Sequence, residues 1–279
     1  MSGVERIRNA FTTANDCGRT ALIAYIVAGR PDVDACVDLV VDLHAAGADI
    51  IELGMPFSDP LADGPVIRRA TRRALDDGID IDAVLGIVRD VRARDCNVPI
   101  VLMGYVNPVL AYGVERFAAA AHEAGVDGLI LPDLPLDESE DARRAFAAHE
   151  LSITFLITPL TIPERRDELL IASTGFCYAV ATTGTTGARG SIDPRAIDLL
   201  ADLRNRSAGA VPIAIGFGIS TSAHVTAFAP HADGVIIGSA LVDRIERGDE
   251  PVRFVSELAE ATGTSAEEWN ASVLPRAVR

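Results

Sequence analysis

Eight short, almost uninterrupted apolar runs limit most sharply what this chain can fold into, and they start roughly every 30 residues, the length of one βαβ unit. They are Leu22–Ala28, Ala48–Leu53, Pro99–Tyr105, Val126–Leu131, Ile153–Ile157, Phe176–Ala181, Val211–Ile215 and Asp233–Ile237. All are rich in Val, Ile and Leu and lack the polar alternation of a sheet with one wet face. They therefore predict strands buried on both sides of a parallel sheet. The segments between them carry helical spacing. Cys36, Val37, Val40, Val41 and His44 fall on one stripe, and Gly47 follows as a stop. Val114, Phe117, Ala118 and Ala121 do the same before Gly125. A short glycine–aspartate approach to the strand recurs as AAGADIIEL, EAGVDGLIL and, more loosely, HADGVII.

Eight such units predict an α/β chain of one domain, 1–279, folded as a (β/α)₈ or TIM barrel. A helix at about 3–15 precedes the first strand, and the tail after Thr262, with Trp269, is expected to fray. An open doubly wound sheet is the alternative, but no G-x-G-x-x-G follows the first run. Two connections break the rhythm. The second gap is the longest, and the sixth holds TTGTTGARGSID, which is glycine- and threonine-rich without periodicity. In a barrel both follow the carboxyl ends of strands, where active sites lie. The segment Thr182–Asp193 reads as a lid.

Charge removes whole classes of partner. The 279 residues carry 40 acidic against 25 basic side chains, a net charge of −15. Nucleic acid and an anionic membrane surface are both excluded as partners on this balance. An anionic ligand would need local groups to hold it. Cys17, Cys36, Cys96 and Cys177 form no C-x-x-C and read as reduced thiols. The charged start MSGVERIRNAF lacks the apolar core of a signal peptide, and no apolar run is long enough for a membrane span. The expected location is cytoplasmic. The five histidines have no metal-ligand spacing, so no metal site is expected.

Two carboxylates stand where chemistry could sit. Glu52 ends an apolar run, sharing a strand face with Ile50. It reads either as a partly desolvated acid with a raised pKa or as a buried carboxylate paired with a base. Gly54–Pro65, GMPFSDPLADGP, is stiff and non-helical. Gly64-Pro65 then opens a helix over Val66–Leu75. Asp63 is either that helix's N-cap or a second carboxylate facing Glu52, and two carboxylates in different environments can divide acid and base duties. Glycine turns follow three runs: Thr186-Gly187-Ala188, Gly216–Ser220 and Gly238-Ser239-Ala240. The last two precede helical segments, so their N–H groups could cradle a phosphate. Tyr25, Tyr105 and Tyr178 read as core tyrosines.

The stretch ADIIELGMPFSDPLADGP (48–65) closely resembles the signature of the tryptophan synthase α subunit family. So do MGYVNPVLAYG (103–113), AGVDGLILPDLP (124–135), TGTTGAR (183–189) and GFGIS (216–220) with Gly238-Ser239. The resemblance implies a (β/α)₈ lyase that splits indole-3-glycerol phosphate, by a retro-aldol reaction, into indole and glyceraldehyde 3-phosphate. It implies that Glu52 protonates indole C3 and handles the glycerol hydroxyl proton, and that Asp63 stabilises charge at indole N1. It sets Tyr178 beside Glu52, places Tyr25, Met103 and Ile130 around the indole ring, and gives the phosphate to Gly187, Gly218, Gly238 and Ser239. Thr186 would bond Asp63 when the lid closes. No cofactor is implied in this chain. Pyridoxal phosphate belongs to a β-subunit partner in an α2β2 assembly. The chain departs from the family at Ala24, Arg30, Ala181 and Thr185. A standalone lyase releasing free indole and a non-catalytic activating subunit are the alternatives; the retained Glu52 and Asp63 disfavour the second.

Overall fold

The computed structural model describes residues 1–181 and 194–263, which form a parallel barrel wrapped by helices. The chain runs α1 (Gly3–Asp16), β1 (Ala21–Val27), α2 (Val33–Ala45), β2 (Ile50–Gly54), α3 (Pro65–Asp76), α4 (Ile81–Ala93), β3 (Ile100–Met103), α5 (Val106–Tyr112), α6 (Val114–Ala124) and β4 (Gly128–Ile130). It continues through α7 (Glu140–Ala148), β5 (Ser152–Thr154), β6 (Leu156–Ile157), α8 (Pro163–Ala172), β7 (Cys177–Val180), α9 (Pro194–Ser207), β8 (Ile213–Gly216), α10 (Ser222–Phe228), β9 (Gly234–Ile237), α11 (Ser239–Arg247) and α12 (Pro251–Ala261). The sheet order is β5-β4-β3-β2-β1-β9-β8-β7-β6, all parallel. Every strand residue except Leu156 is buried, as the continuous apolar runs require.

The run Ile153–Ile157, expected as one strand, is divided at Phe155. The Phe155 N–H goes to the Ser173 hydroxyl at 3.2 Å, while its carbonyl accepts from Tyr178 N at 3.0 Å. Before this residue the chain pairs with β4, and after it with β7. The change of partner within one run closes the barrel. The long second gap is filled by an additional helix: α3 precedes α4.

The recurring aspartate has a structural use. Asp49 accepts from Leu22 N at 2.8 Å, Asp127 from Ile100 N at 2.7 Å and Asp233 from Ile213 N at 2.8 Å. Each therefore ties the start of its own strand to the start of the preceding one. Each also meets arginine: Arg19 on Asp49, Arg6 and Arg92 on Asp127, Arg204 on Asp233. Helix α1 covers the barrel's amino end with Ile7, Phe11 and Ala14. Its Gly3 lies so close to the Asp127 backbone that a Cβ there would collide. The Ser2–Glu5 capping box fixes the start of this helix.

Gly47 (φ 109°) and Gly125 (φ 89°) end α2 and α6 in conformations that favour glycine. All four cysteines are free thiols, Cys17 exposed and the other three buried. Among the described residues no helix is long and apolar enough to cross a membrane, and no group of three or more His, Cys, Asp or Glu could hold a metal ion.

Candidate active site

A cavity of about 360 Å³ opens at the carboxyl ends of the strands. Its floor follows from strand alternation. On β2 the side chains of Ile50 and Glu52 and the bare Cα of Gly54 face one way, and Glu52 lies in register with Tyr25 of β1. Two rings reach across the barrel because their neighbours have no side chain. A Cβ on Gly54 would run into the Tyr25 hydroxyl, and one on Gly216 into the Tyr178 hydroxyl.

Glu52 is 1 % exposed, it forms no ion pair among the described residues, and its Oε1 has no hydrogen-bond partner. Burial alone raises its pKa to about 8, so at neutral pH it holds its proton. The structure thus decides against a carboxylate paired with a base. Burial, reinforced by neighbouring carboxylates, also pushes the phenols of Tyr25 and Tyr178 well above their ordinary value.

Asp63 lines the same cavity. It is not the helix cap: α3 is capped by Gly64, with Pro65 in its first turn and no side-chain cap bond. The extra glycine displaces Asp63 from the capping position and leaves its carboxylate to the cavity. Burial raises the Asp63 pKa to about 6, opposed by a hydrogen bond from Tyr105 and by the charge of Arg68. At neutral pH one carboxyl is therefore protonated and the other mostly ionised.

Tyr105 was expected inside the third strand, but β3 ends at Met103. Gly104 approaches Met55 so closely that a Cβ would collide, and the chain leaves the sheet there. The Tyr105 hydroxyl then accepts from Ala62 N at 2.9 Å and donates to Asp63. It fixes both the loop and the carboxylate. Tyr105→Phe should raise the Asp63 pKa by about one pH unit, because a hydrogen bond to the charged form is lost. Carbon-13 NMR titration of the carboxyl reads this directly; an unmoved Asp63 would show that the hydroxyl does not act on it.

Of the residues singled out in the sequence, Tyr25, Glu52, Asp63, Met103, Tyr178, Gly218, Gly238 and Ser239 line the cavity together. Ile130 does not: it is fully buried in register with Met103. Thr186, Gly187, Thr185 and the rest of the segment Thr182–Asp193 lie outside the described residues, as does Trp269. Phe217 and Ile219, from the Gly216–Ser220 turn, also line the cavity, and so does Asp243, which the sequence reading missed. Phe217 has φ 69° and Gly218 φ 88°, two left-handed residues in succession, and the Phe217 ring packs on Tyr178 at 5.7 Å between centroids. Gly238 caps α11, so the N–H groups of Ser239 and Ala240 at the start of that helix have no intrahelical partner, and both residues line the cavity.

Helices α3 and α11, which start at the cavity, are clamped together beyond it. Glu246 accepts from Arg30 at 2.8 Å and from Arg73 at 2.5 Å, and Arg30 also meets Asp77. Arg30 thus locks the two helices whose first turns shape the site.

The sequence profile of the family described as "Tryptophan synthase alpha chain" matches residues 11–270. The chain is 47% identical over 244 residues to the tryptophan synthase alpha chain of Chloroflexus aurantiacus, covering 88% of this chain and 91% of the relative. It is 44% identical over 266 residues to that of Geobacter sulfurreducens, covering 93% and 100%. Among solved structures it is similar to Mycobacterium tuberculosis tryptophan synthase, with a TM-score of 0.86, 39% identity and coverage of 93% and 99%. It is also similar to tryptophan synthase subunit alpha from Legionella pneumophila, with a TM-score of 0.81, 36% identity and coverage of 94% and 98%.

Proposed function

The chain belongs to the tryptophan synthase alpha chain family, lyases that cleave indole-3-glycerol phosphate, and from that premise we propose which of its residues carry the reaction. Glu52 is the general acid and base. Its proton passes to the indole carbon that bears the glycerol chain. Positive charge develops on the ring nitrogen, where the Asp63 carboxylate stabilises it. The carbon–carbon bond then breaks, its electron pair returns to the ring, and the glycerol hydroxyl proton passes to the Glu52 carboxylate. The products are indole and an aldehyde, glyceraldehyde 3-phosphate, and Glu52 regains the proton it gave.

The observation that carries this reading is the placement of two carboxyl groups, Glu52 and Asp63, in one cavity, where burial raises the first to about 8 and the second to about 6. Turnover needs the first protonated and the second ionised. Activity should rise with pH through about 6 and fall through about 8.

Tyr25, Met103 and Tyr178 enclose the indole ring, with Ile130 beside Met103 on the adjacent strand. The phosphate sits on backbone N–H groups at Gly218 and at Gly238 and Ser239, with the Ser239 hydroxyl. Gly218→Val should raise KM about tenfold or more with a smaller change in kcat, because φ 88° and close approach both favour glycine. An unchanged KM would remove the phosphate from this turn.

The chain acts as one domain, 1–279, in the cytoplasm, and needs no cofactor of its own. Its partner is a β subunit carrying pyridoxal phosphate, in an α2β2 assembly. Exposed Leu61, Leu110, Leu160 and Ile162 support this docking. They follow β2, β3 and β6 at the end of the barrel where the cavity opens, Leu110 on α5 and the others in loops, and exposed aliphatic side chains on neighbouring connections suit a protein surface that covers them. Indole release from indole-3-glycerol phosphate, followed for the chain alone and with a family β subunit, tests the whole reading. Slow cleavage alone and faster cleavage with the partner is the expected result. No release in either setting overturns it.

A further inference from the structure

The charged side chains among the described residues that line the cavity are Glu52, Asp63 and Asp243. All three are acids. Lys, Arg and His do not occur among these lining residues, although the substrate is a phosphate ester. Glu52 is neutralised by its own proton and Asp63 serves the ring nitrogen, which leaves Asp243 without a role in the reaction.

Its position gives it one. Ser239 and Asp243 are four residues apart on α11, so they share a helix face about 6 Å apart along the axis. Arg247, a further turn away, meets Asp243 at 2.9 Å. The same guanidinium also meets Asp249 at 3.3 Å, so one positive charge is divided between two carboxylates. The other acid on α11, Glu246, is held by Arg30 and Arg73. Along α11 the charge nearest the amide cradle is therefore the negative charge of Asp243, not its arginine.

We propose that Asp243 is a specificity-determining residue that opposes the phosphate dianion, lowering the retention of phosphate-bearing ligands and hastening release of the phosphate product. The inference rests on the phosphate assignment to the start of α11 made under Proposed function. Backbone amides and one hydroxyl bind the anion by geometry, and Asp243 limits how tightly charge alone can hold it.

Calorimetric titration of the full chain with inorganic phosphate and with glycerol phosphate provides the test. Asp243→Asn should tighten both about 3–10-fold at low salt, with the gain shrinking at high salt. Product inhibition by glyceraldehyde 3-phosphate should strengthen by the same factor, while indole affinity stays constant. Asp243→Glu, which keeps the charge, should stay near the parent. Arg247→Gln should act in the opposite sense and weaken phosphate. If Asp243→Asn leaves phosphate affinity unchanged or weaker while Ser239→Ala weakens it, the cradle stands and the role of Asp243 is overturned. If neither Ser239→Ala nor Gly218→Val alters phosphate affinity, the cradle assignment itself fails and takes this proposal with it.

Discussion

Glu52→Gln should lose between about 10² and 10⁴ in kcat, the usual contribution of a positioned acid or base, while gaining thermodynamic stability. The two effects have one cause. Glu52 is buried with its Oε1 unpartnered, and burial raises its pKa from an ordinary 4.5 to about 8. Between those values the folded chain keeps a proton that the unfolded chain has lost. Stability contributed at this site therefore falls as pH climbs from about 4.5 to about 8 and is level above that. Glutamine has no such dependence, so the variant should exceed the parent by roughly 3 kcal/mol at pH 7 and match it near pH 4.5. Denaturant unfolding across this range, beside single-turnover cleavage of indole-3-glycerol phosphate, measures both. Near-parent cleavage would remove Glu52 from the chemistry. A stability difference that ignores pH would remove the desolvated acid from the explanation. Sites that trade stability for function in this way are expected where a reactive group must be kept out of water.

What the sequence disclosed here, and what it did not, follows from the range of each interaction. Strands buried on both faces leave their mark in consecutive residues, so the runs at 22–28 and 99–105 announced the barrel. Their edges did not. β3 ends at Met103, and the next residue, Gly104, packs so closely on Met55, far away along the chain, that a Cβ would collide, whereas a run read in isolation passes through it to Tyr105. The hydrogen bond from Tyr105 to Asp63 was hidden for the same reason. Phe155 shows the point again: nothing local records that the chain changes sheet partner there, because the Ser173 hydroxyl that takes its N–H comes from the following unit. Glu52 was legible because a carboxylate at the end of an apolar run is costly wherever the run folds. Asp63 was ambiguous because one glycine decides between capping and catalysis. Asp243 carries no local signal, because a single aspartate on a polar helix face is ordinary and only the cavity shows that it lines the site.

Asp127→Ala should cost about 3–5 kcal/mol of stability and leave the chemistry alone, since removing one member of a buried ion group strands the others. Asp127 is fully buried at the amino end of the barrel, with Arg6 and Arg92 on its carboxylate and Ile100 N donating at 2.7 Å. Burial still raises its pKa despite both arginines, which measures how much desolvation they offset. Alanine would leave two guanidinium groups facing each other and a strand N–H without its acceptor. Arg92 would keep its bonds to the carbonyls of Cys96, Val98 and Gly125, so the loss should fall mainly on Arg6, which joins α1 to the barrel. Helix α1 should therefore loosen first, and hydrogen exchange should show Ile7 and Phe11 losing protection before the strands do. In a domain of this size the midpoint should drop by roughly 10 °C. KM and both limbs of the pH profile should stay put at temperatures where the variant is folded, because the site lies at the opposite end of the strands. A variant that keeps its midpoint would mean that the recurring aspartate is not the tie between strand starts. One that keeps its midpoint yet loses activity would join the two ends of the barrel in a way the separate positions of Asp127 and Glu52 do not provide.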